Sequence, residues 1–411
     1  MSGFVQRVLE VIVSLLAAVA VYWVCLQLYL GVVRRRWPLA HAPDAEVTNI
    51  ELRRGYRATL LHLPAKGARV IEEPLLLCHG LGANRFNLDF DAELSLARYL
   101  AAAGHDVWLL ELRGRGPRPR PRLPRGTWTF DDELRDEATL AVRTVRERTG
   151  ASRLVWVGHS KGGLLGLAYA ALELGAPGSL GAPGESGKPG EPCPTGDSSG
   201  SISAVVAIAS PVSFAPVRHL VPFARRVRFY LSLFRVGVLP IDEWAQFVAP
   251  FAPLLIGLRY VGAVLGKPAL DARRLRCAFA SLASPMSRGV VLQMVRWIVD
   301  GTWQSEDGTV DYAAALARLR APVLCIAGSH DVLAPRAAVE PTRRLASAAE
   351  VDVVELGRAT GYEVDFGHGD LVVGEHAPRI VFPIVRDWLA RRGTPWTDGP
   401  LSAPARISPG H

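Results

Sequence analysis

Lysine is nearly missing from this chain: it occurs only at positions 66, 161, 188 and 267 of 411. The formal net charge of +8 is therefore carried by arginine. No RNA- or DNA-binding motif accompanies that charge, so the skew reads as coding composition and no nucleic-acid partner is expected. Cysteine is also scarce. Cys25, Cys78, Cys193, Cys277 and Cys325 are odd in number and scattered, which excludes a disulfide framework. No CxxC pair and no His/Cys cluster has the spacing of a zinc site, so no metal and no organic cofactor is expected. Apolar residues make up 49% and charged residues 21%, which excludes a disordered chain and suits one large α/β domain with insertions.

One long run carries no formal charge. Val11 to Val33 is 23 residues of predominantly apolar sequence, which at ~1.5 Å per residue spans roughly 35 Å, enough for a ~30 Å hydrocarbon core with some tilt. A cleaved signal peptide has a shorter apolar region followed by a small-residue cleavage site. Here Arg34, Arg35, Arg36 and Trp37 follow directly, and only Arg7, beside Glu10, precedes the run. The reading is a single-pass membrane anchor over residues 1–36, with membrane lipid as its partner. The arginines place the N-terminus outside and the large domain in the cytoplasm.

Beyond the anchor, strands and helices alternate. Strand-like stretches run over 46–52, 58–63, 73–78, 105–112, 153–157, 203–209, 322–327 and 351–356, and helical stretches over 92–103, 131–148, 161–174 and 374–391. That alternation predicts an α/β fold with a mostly parallel sheet flanked by helices. The core divides into residues 46–210 and 310–391. Between them, 211–309 is helical in tone and rich in aromatics and arginine, suited to a lid over the C-terminal edge of the sheet. Residues 392–411 form a tail, Pro/Gly/Ser-rich from Thr394 on, expected to be disordered.

Within the first part, 175–201 carries glycine at 175, 178, 181, 184, 187 and 190, a collagen-like G-x-y register. The eighteen residues of that register, 175–192, would extend about 50 Å as a triple helix at ~3 Å per residue, yet the flanking helix and strand are neighbours in one sheet. A flexible loop with an unpaired Cys193 fits better. Six arginines interleaved with proline lie between Arg113 and Arg125. They read as a solvated surface loop, with contact to anionic lipid headgroups as the alternative.

Gly158-His159-Ser160-Lys161-Gly162 follows an apolar strand and opens a helix. A G-x-S-x-G in that context is a nucleophile elbow, where Gly158 and Gly162 spare neighbouring backbone from side chains and Ser160 is lifted above the sheet. A serine hydroxyl needs a base, and the base an orienting acid, in the chain order Ser, Asp or Glu, His. Asp331 follows the strand PVLCIAG and His368 a loop after VDVVEL, so each sits at a strand-end loop and the three can converge. Asp365 and Asp370 beside the histidine read as loop formers or caps. His330, adjacent to the proposed acid, would point away. Backbone N–H groups of Lys161 and Leu81 are the candidate oxyanion donors. Gly80 and Gly82 permit close backbone approach, and His79 braces the loop.

These residues resemble the α/β-hydrolases, and among them the acid lipase group of gastric and lysosomal lipases, over about 70–390. The likeness rests on LARYLAAAGHDVWLLELRGRG, on the segment from TWTFDDELRDEATLAV through GHSKGG, and on AIASP at Ala207 to Pro211. It implies an α/β-hydrolase fold whose nucleophile, acid and base fall on Ser160, Asp331 and His368, with Leu81 and Lys161 as oxyanion donors. It implies hydrolysis of carboxylic, plausibly long-chain acyl, esters as small-molecule or lipid substrates. Lys161 stands where these lipases usually carry glutamine. The rivals are an acyltransferase using the same acyl-enzyme and a non-catalytic scaffold. Polyester synthases share the fold but use a cysteine nucleophile, where this chain has Ser160. An aspartate-nucleophile epoxide hydrolase or dehalogenase is excluded by the same residue.

Overall fold

Leu75, Leu76, Leu77 and Cys78 are apolar without alternation, and a strand of that kind must be covered on both faces. In the computed structural model, which describes residues 2–39, 45–52, 55–114, 127–172, 200–234, 236–255 and 270–397, all four are fully buried. They form β3 (Leu75–Cys78) in an eight-stranded sheet. Its other members are β1 (Glu46–Glu51), β2 (Arg57–Leu63), β4 (Val107–Glu111), β5 (Leu154–His159), β6 (Ile202–Ile208), β9 (Val323–Gly328) and β10 (Val351–Leu356), in the order β1-β2-β4-β3-β5-β6-β9-β10. β1 and β2 pair antiparallel at one edge, and every pairing from β4 to β10 is parallel. Parallel neighbours need crossovers, and α2 (Leu96–Ala102), α3 (Thr139–Thr149) and α4 (Lys161–Leu172) supply those from β3 to β4, β4 to β5 and β5 to β6, while α9 (Ala377–Arg392) follows the last strand. This is the α/β-hydrolase fold.

The expected elements are present, with shifted ends. The helix expected over 92–103 starts only at Leu96, because Ser95 caps it by accepting from the Arg98 N–H. The helix expected over 131–148 starts at Phe130, where Thr129 and Asp132 form a reciprocal capping box. Residues Glu133–Ala138 of that helix are π-helical before α3 proper begins. Both Glu133 and Glu137 point inward from this π segment, fully buried.

The insertion expected over 211–309 is largely helical. It contains α5 (Val221–Leu233), α6 (Ile241–Val248), α7 (Ala272–Cys277) and α8 (Arg288–Asp300), with a small ribbon of β7 (Val238–Leu239) and β8 (Met286–Ser287). Residues 256–269 of it lie outside the described residues, as do 115–126 of the arginine–proline segment and 173–199 of the Gly-x-y segment. Thr394 to Trp396, within the expected tail, are tied to the domain. Thr394 donates from its N–H and hydroxyl to Glu73, Pro395 bridges Ile71, and Arg69 lies over the Trp396 ring. These contacts hold 394–396 against the segment 69–73 that leads into β3, and 398–411 lie outside the described residues.

α1 (Ser2–Arg36) is a single helix, long and apolar enough over Ala17–Arg36 to cross a membrane. Its last turns do not stand free, as an isolated span would. Leu30 and Val33 are buried, and Val33 packs with Ala249 and Ala280 of the insertion.

Candidate active site

β5 ends at His159 and α4 starts at Lys161, leaving Ser160 alone in the turn at φ +54°. A side chain in that region costs about 1–3 kcal/mol and persists only where the surroundings dictate it. The Ser160 N–H donates to Ile208 at 2.7 Å, and its carbonyl accepts from the Gly163 and Leu164 N–H groups and the Ser210 hydroxyl. The two elbow glycines are steric requirements. A Cβ on Gly158 would lie 2.3 Å from Gly162 backbone, and one on Gly162 would lie 2.2 Å from the Cys78 carbonyl oxygen.

The three residues expected to converge do so. The Ser160 hydroxyl lies 2.9 Å from His368 Nε2, and His368 Nδ1 lies 2.8 Å from Asp331 Oδ2. Asp331 Oδ1 accepts from the Leu333 and Ala334 N–H groups, each at 2.8 Å. Burial alone would raise the Asp331 carboxyl, but the His368 charge and these hydrogen bonds outweigh it and hold the group below its ordinary value. It is therefore a carboxylate, oriented to accept Nδ1–H and leave Nε2 free for the serine proton. The loops are held together by a close crossing: a Cβ on Gly328 would lie 2.3 Å from the Phe366 carbonyl oxygen.

The rivals fall away on geometry. The His330 side chain is exposed and lies 3.6 Å from Asp365. Asp365 accepts from the Ser329 hydroxyl and the Arg358 N–H, as a loop former does. Asp370 is different. It is buried with Oδ1 unpartnered, and burial pushes its carboxyl up to about 7 despite a hydrogen bond from the Gly367 N–H.

The loop expected to supply an oxyanion donor lies beside the nucleophile. A Cβ on Gly80 would be 3.3 Å from Ser160 Cβ. Gly82 takes φ +64°, the left-handed conformation glycine favours. His79 braces this loop as expected: its Nδ1 lies 2.9 Å from the Gly80 carbonyl oxygen, and its Nε2 accepts from the Leu112 N–H at 3.3 Å. Lys161 opens α4, so its N–H has no acceptor within the helix. The helical insertion is stitched to the same loop. The Ser284 N–H donates to Gly82, Asn84 donates to the Ser281 carbonyl, and Ala83 bridges Ala283.

Three residues near the site were not singled out from sequence. Asn87 Oδ1 accepts from the Gly80 N–H at 3.0 Å and lies 2.9 Å from His159 Nδ1. His159 Nε2 in turn lies 3.0 Å from the His368 carbonyl oxygen. Burial and the neighbouring His368 charge push His159 down to about 3, so the ring is neutral and donates to one of its two acceptors at a time. Asn87 and His159 thus tie the Gly80 loop to the base loop. The third is Glu133. Lys161 Nζ is wholly buried and paired with the equally buried Glu133 Oε2, which shares its carboxylate with Trp128 Nε1. One turn on, Arg113 pairs with Glu137 and with Asp136 at 2.9 Å. Burial pushes the Glu137 carboxyl up to about 7, the Arg113 charge opposing and the Glu133 charge reinforcing it. A lysine in an otherwise apolar helix start was the available signal that a buried acid must face it.

The family match agrees with the fold. Residues 73–179 match the α/β hydrolase fold family. The chain is 24% identical over 351 residues to the poly(3-hydroxyalkanoate) polymerase subunit PhaC of Haloferax mediterranei, a match covering 82% of this chain and 63% of the relative, less than two-thirds of its length. It is 31% identical over 121 residues to the PhaC of Haloarcula marismortui, covering 28% of this chain and 24% of that one. Among solved structures, a hydrolase from Pseudomonas aeruginosa aligns with a TM-score of 0.49 at 17% identity, covering 85% of this chain and 99% of its own.

Two outcomes follow. Lys161→Met leaves Glu133 buried without its cation and should cost ~3–5 kcal/mol, whereas the Lys161→Met/Glu133→Gln pair should recover most of that loss. Denaturation of the detergent-solubilised protein reads both, and equal destabilisation of single and double variants would refute the pairing. For Asp370, the folded value of about 7 lies above the ordinary 3.8. Its contribution is therefore complete at low pH and lost as pH rises through about 7. Asp370→Asn lacks that loss, so its stability relative to wild type should rise between about pH 5 and about pH 8. A difference that stays flat or falls would contradict the assignment.

Proposed function

We infer that the protein is a membrane-anchored serine hydrolase that cleaves carboxylic, acyl-lipid-type esters through an acyl-enzyme on Ser160. The observation that carries this reading is the unbroken relay from Asp331 through His368 to the Ser160 hydroxyl, at 2.8 and 2.9 Å, on a strained elbow. In the first half-reaction the Ser160 proton passes to His368 Nε2 as Oγ bonds to the ester carbonyl carbon. The carbonyl electron pair moves to oxygen, which the Leu81 and Lys161 N–H groups receive. Collapse breaks the bond to the alcohol, which leaves with the proton from Nε2. Water repeats the sequence and releases the acid. Asp331 stays ionised throughout and stabilises the transient imidazolium. The anchor is α1, with the catalytic domain on the cytoplasmic side by its arginine flank. The acid-lipase likeness within the fold is supported by the sequence stretches that carry it.

A second reading is favoured by the similarity to PhaC: the same acyl-enzyme passed to a hydroxyl acyl acceptor instead of water. Against a polymerase of the cysteine type stands the residue itself. Ser160 forms an oxygen ester, which lacks the acyl-transfer potential of a thioester.

A fluorophosphonate probe should label the wild type, and Ser160→Ala and His368→Ala should abolish labelling. Asp331→Asn should lower the labelling rate by about 10³–10⁴-fold, because it releases the imidazole tautomer. Retained labelling in Ser160→Ala, or none in a folded wild type with lipid present, would overturn the reading.

A further inference from the structure

The helical insertion is polar inside and apolar outside along one helix. In α6, Asp242 and Gln246 are buried, while Trp244 and Phe247 are 72% and 52% exposed. The stripe continues through Phe251 and Leu254, 57% and 78% exposed. In α5, Ala224 and Leu231 face the protein, and Phe229 and Leu233 lie outward, more than half exposed. A water-facing helix has the opposite pattern. Patches of this kind on soluble chains mark interaction surfaces.

The position of α1 says what covers this one. The Tyr29 ring packs tilted against Phe247 at a centroid distance of 5.5 Å and an interplanar angle of 60°, and its hydroxyl donates to the Phe247 carbonyl. Arg34 donates to Gln246 at 2.8 Å. Tyr29, Leu30 and Val33 are docked on the domain, and the part of the apolar run before them, Val11 to Leu28, is ~27 Å long at ~1.5 Å per residue, short of a ~30 Å hydrocarbon core. A bilayer that accommodates α1 must reach Tyr29, and with it Phe247 and Trp244 beside it. Around the patch, Arg225, Arg226 and Arg228 are exposed, as is Arg35 at the end of α1. Arginines at that level pair with anionic headgroups.

We propose that the outward face of α5, α6 and Phe251–Leu254 is embedded in the leaflet at which α1 enters the domain. This rests on the reading of α1 as a membrane span. The consequence reaches the site in two steps. Val33 packs on Ala280, the Ser281 hydroxyl donates to Trp37, and the next residues hydrogen-bond the Gly82–Asn84 loop. The loop carrying Leu81 is thereby held near the bilayer surface, from which an acyl chain would arrive.

The test uses the full chain in vesicles of equal parts phosphatidylcholine and phosphatidylglycerol, with Cys25 and Cys193 replaced by serine. Spin labels go on Phe229→Cys, Trp244→Cys and Leu254→Cys. Val21→Cys reports the anchor, and Arg391→Cys, exposed at the far end of α9, reports water. The expected result is oxygen collision raised and nickel-chelate collision lowered several-fold at 229, 244 and 254 relative to 391. Immersion at 21 with water-like values at the three insertion sites would overturn the proposal and leave the anchor standing. Water-like values at 21 as well would overturn the anchor reading. Spin–spin broadening between copies at the three sites would assign the face to a second copy and equally refute the proposal.

Discussion

The site depends on one backbone crossing. Where α4 leaves the elbow, Gly162 passes so close to the carbonyl of Cys78 that a methyl group would lie 2.2 Å from its oxygen. That contact brings the start of α4 against the end of β3. It sets the Lys161 N–H beside the loop carrying Leu81, and forces Ser160 into the left-handed region with its hydroxyl raised toward His368. Replace Gly162, and the nucleophile and the oxyanion loop lose their common reference.

The second constraint is electrostatic. Directly under the elbow the chain buries two cations, Lys161 and Arg113, against three carboxylates, Glu133, Asp136 and Glu137. Burying isolated charge is costly, and pairing recovers the cost only with good geometry. The π-helical stretch 133–138 provides that geometry, turning Glu133 and Glu137 inward together. The excess of carboxylate over cation agrees with Glu137 being held toward its protonated form. Above this layer the balance reverses: Asp331 stays ionised and His159 stays neutral, so His368 is the group placed to take a proton from Ser160.

Much of this was legible in the sequence because it depends on local rules. The elbow needs G-x-S-x-G after an apolar strand, and acid and base must follow at strand-end loops, so Ser160, Asp331 and His368 could be named from order alone. The mostly parallel sheet and the role of His79 followed from the same logic, whereas the strand order β1-β2-β4-β3-β5-β6-β9-β10 did not. What was hidden depends on long-range packing. Glu133 lies in a segment as charged as any solvent-facing helix, and only its distant partner Lys161 draws it in. Asn87 and His159 act through hydrogen bonds to loops far along the chain. Residues 394–396, composed like a tail, are held by Glu73, Ile71 and Val70. In α6 the helical period is visible, but period alone does not say that Asp242 and Gln246 face inward and Trp244 outward.

The most direct test of the account is the fate of the acyl group. The full chain in lipid is mixed with a long-chain acyl ester in oxygen-18 water, quenched at short times, and the peptide containing Ser160 is weighed beside the released product. A transient acyl mass on Ser160 and free acid carrying one oxygen-18 are the expected result. An acyl group on another residue, or turnover with no acyl intermediate, would contradict the assigned nucleophile, and chain-extended product without labelled acid would contradict hydrolysis.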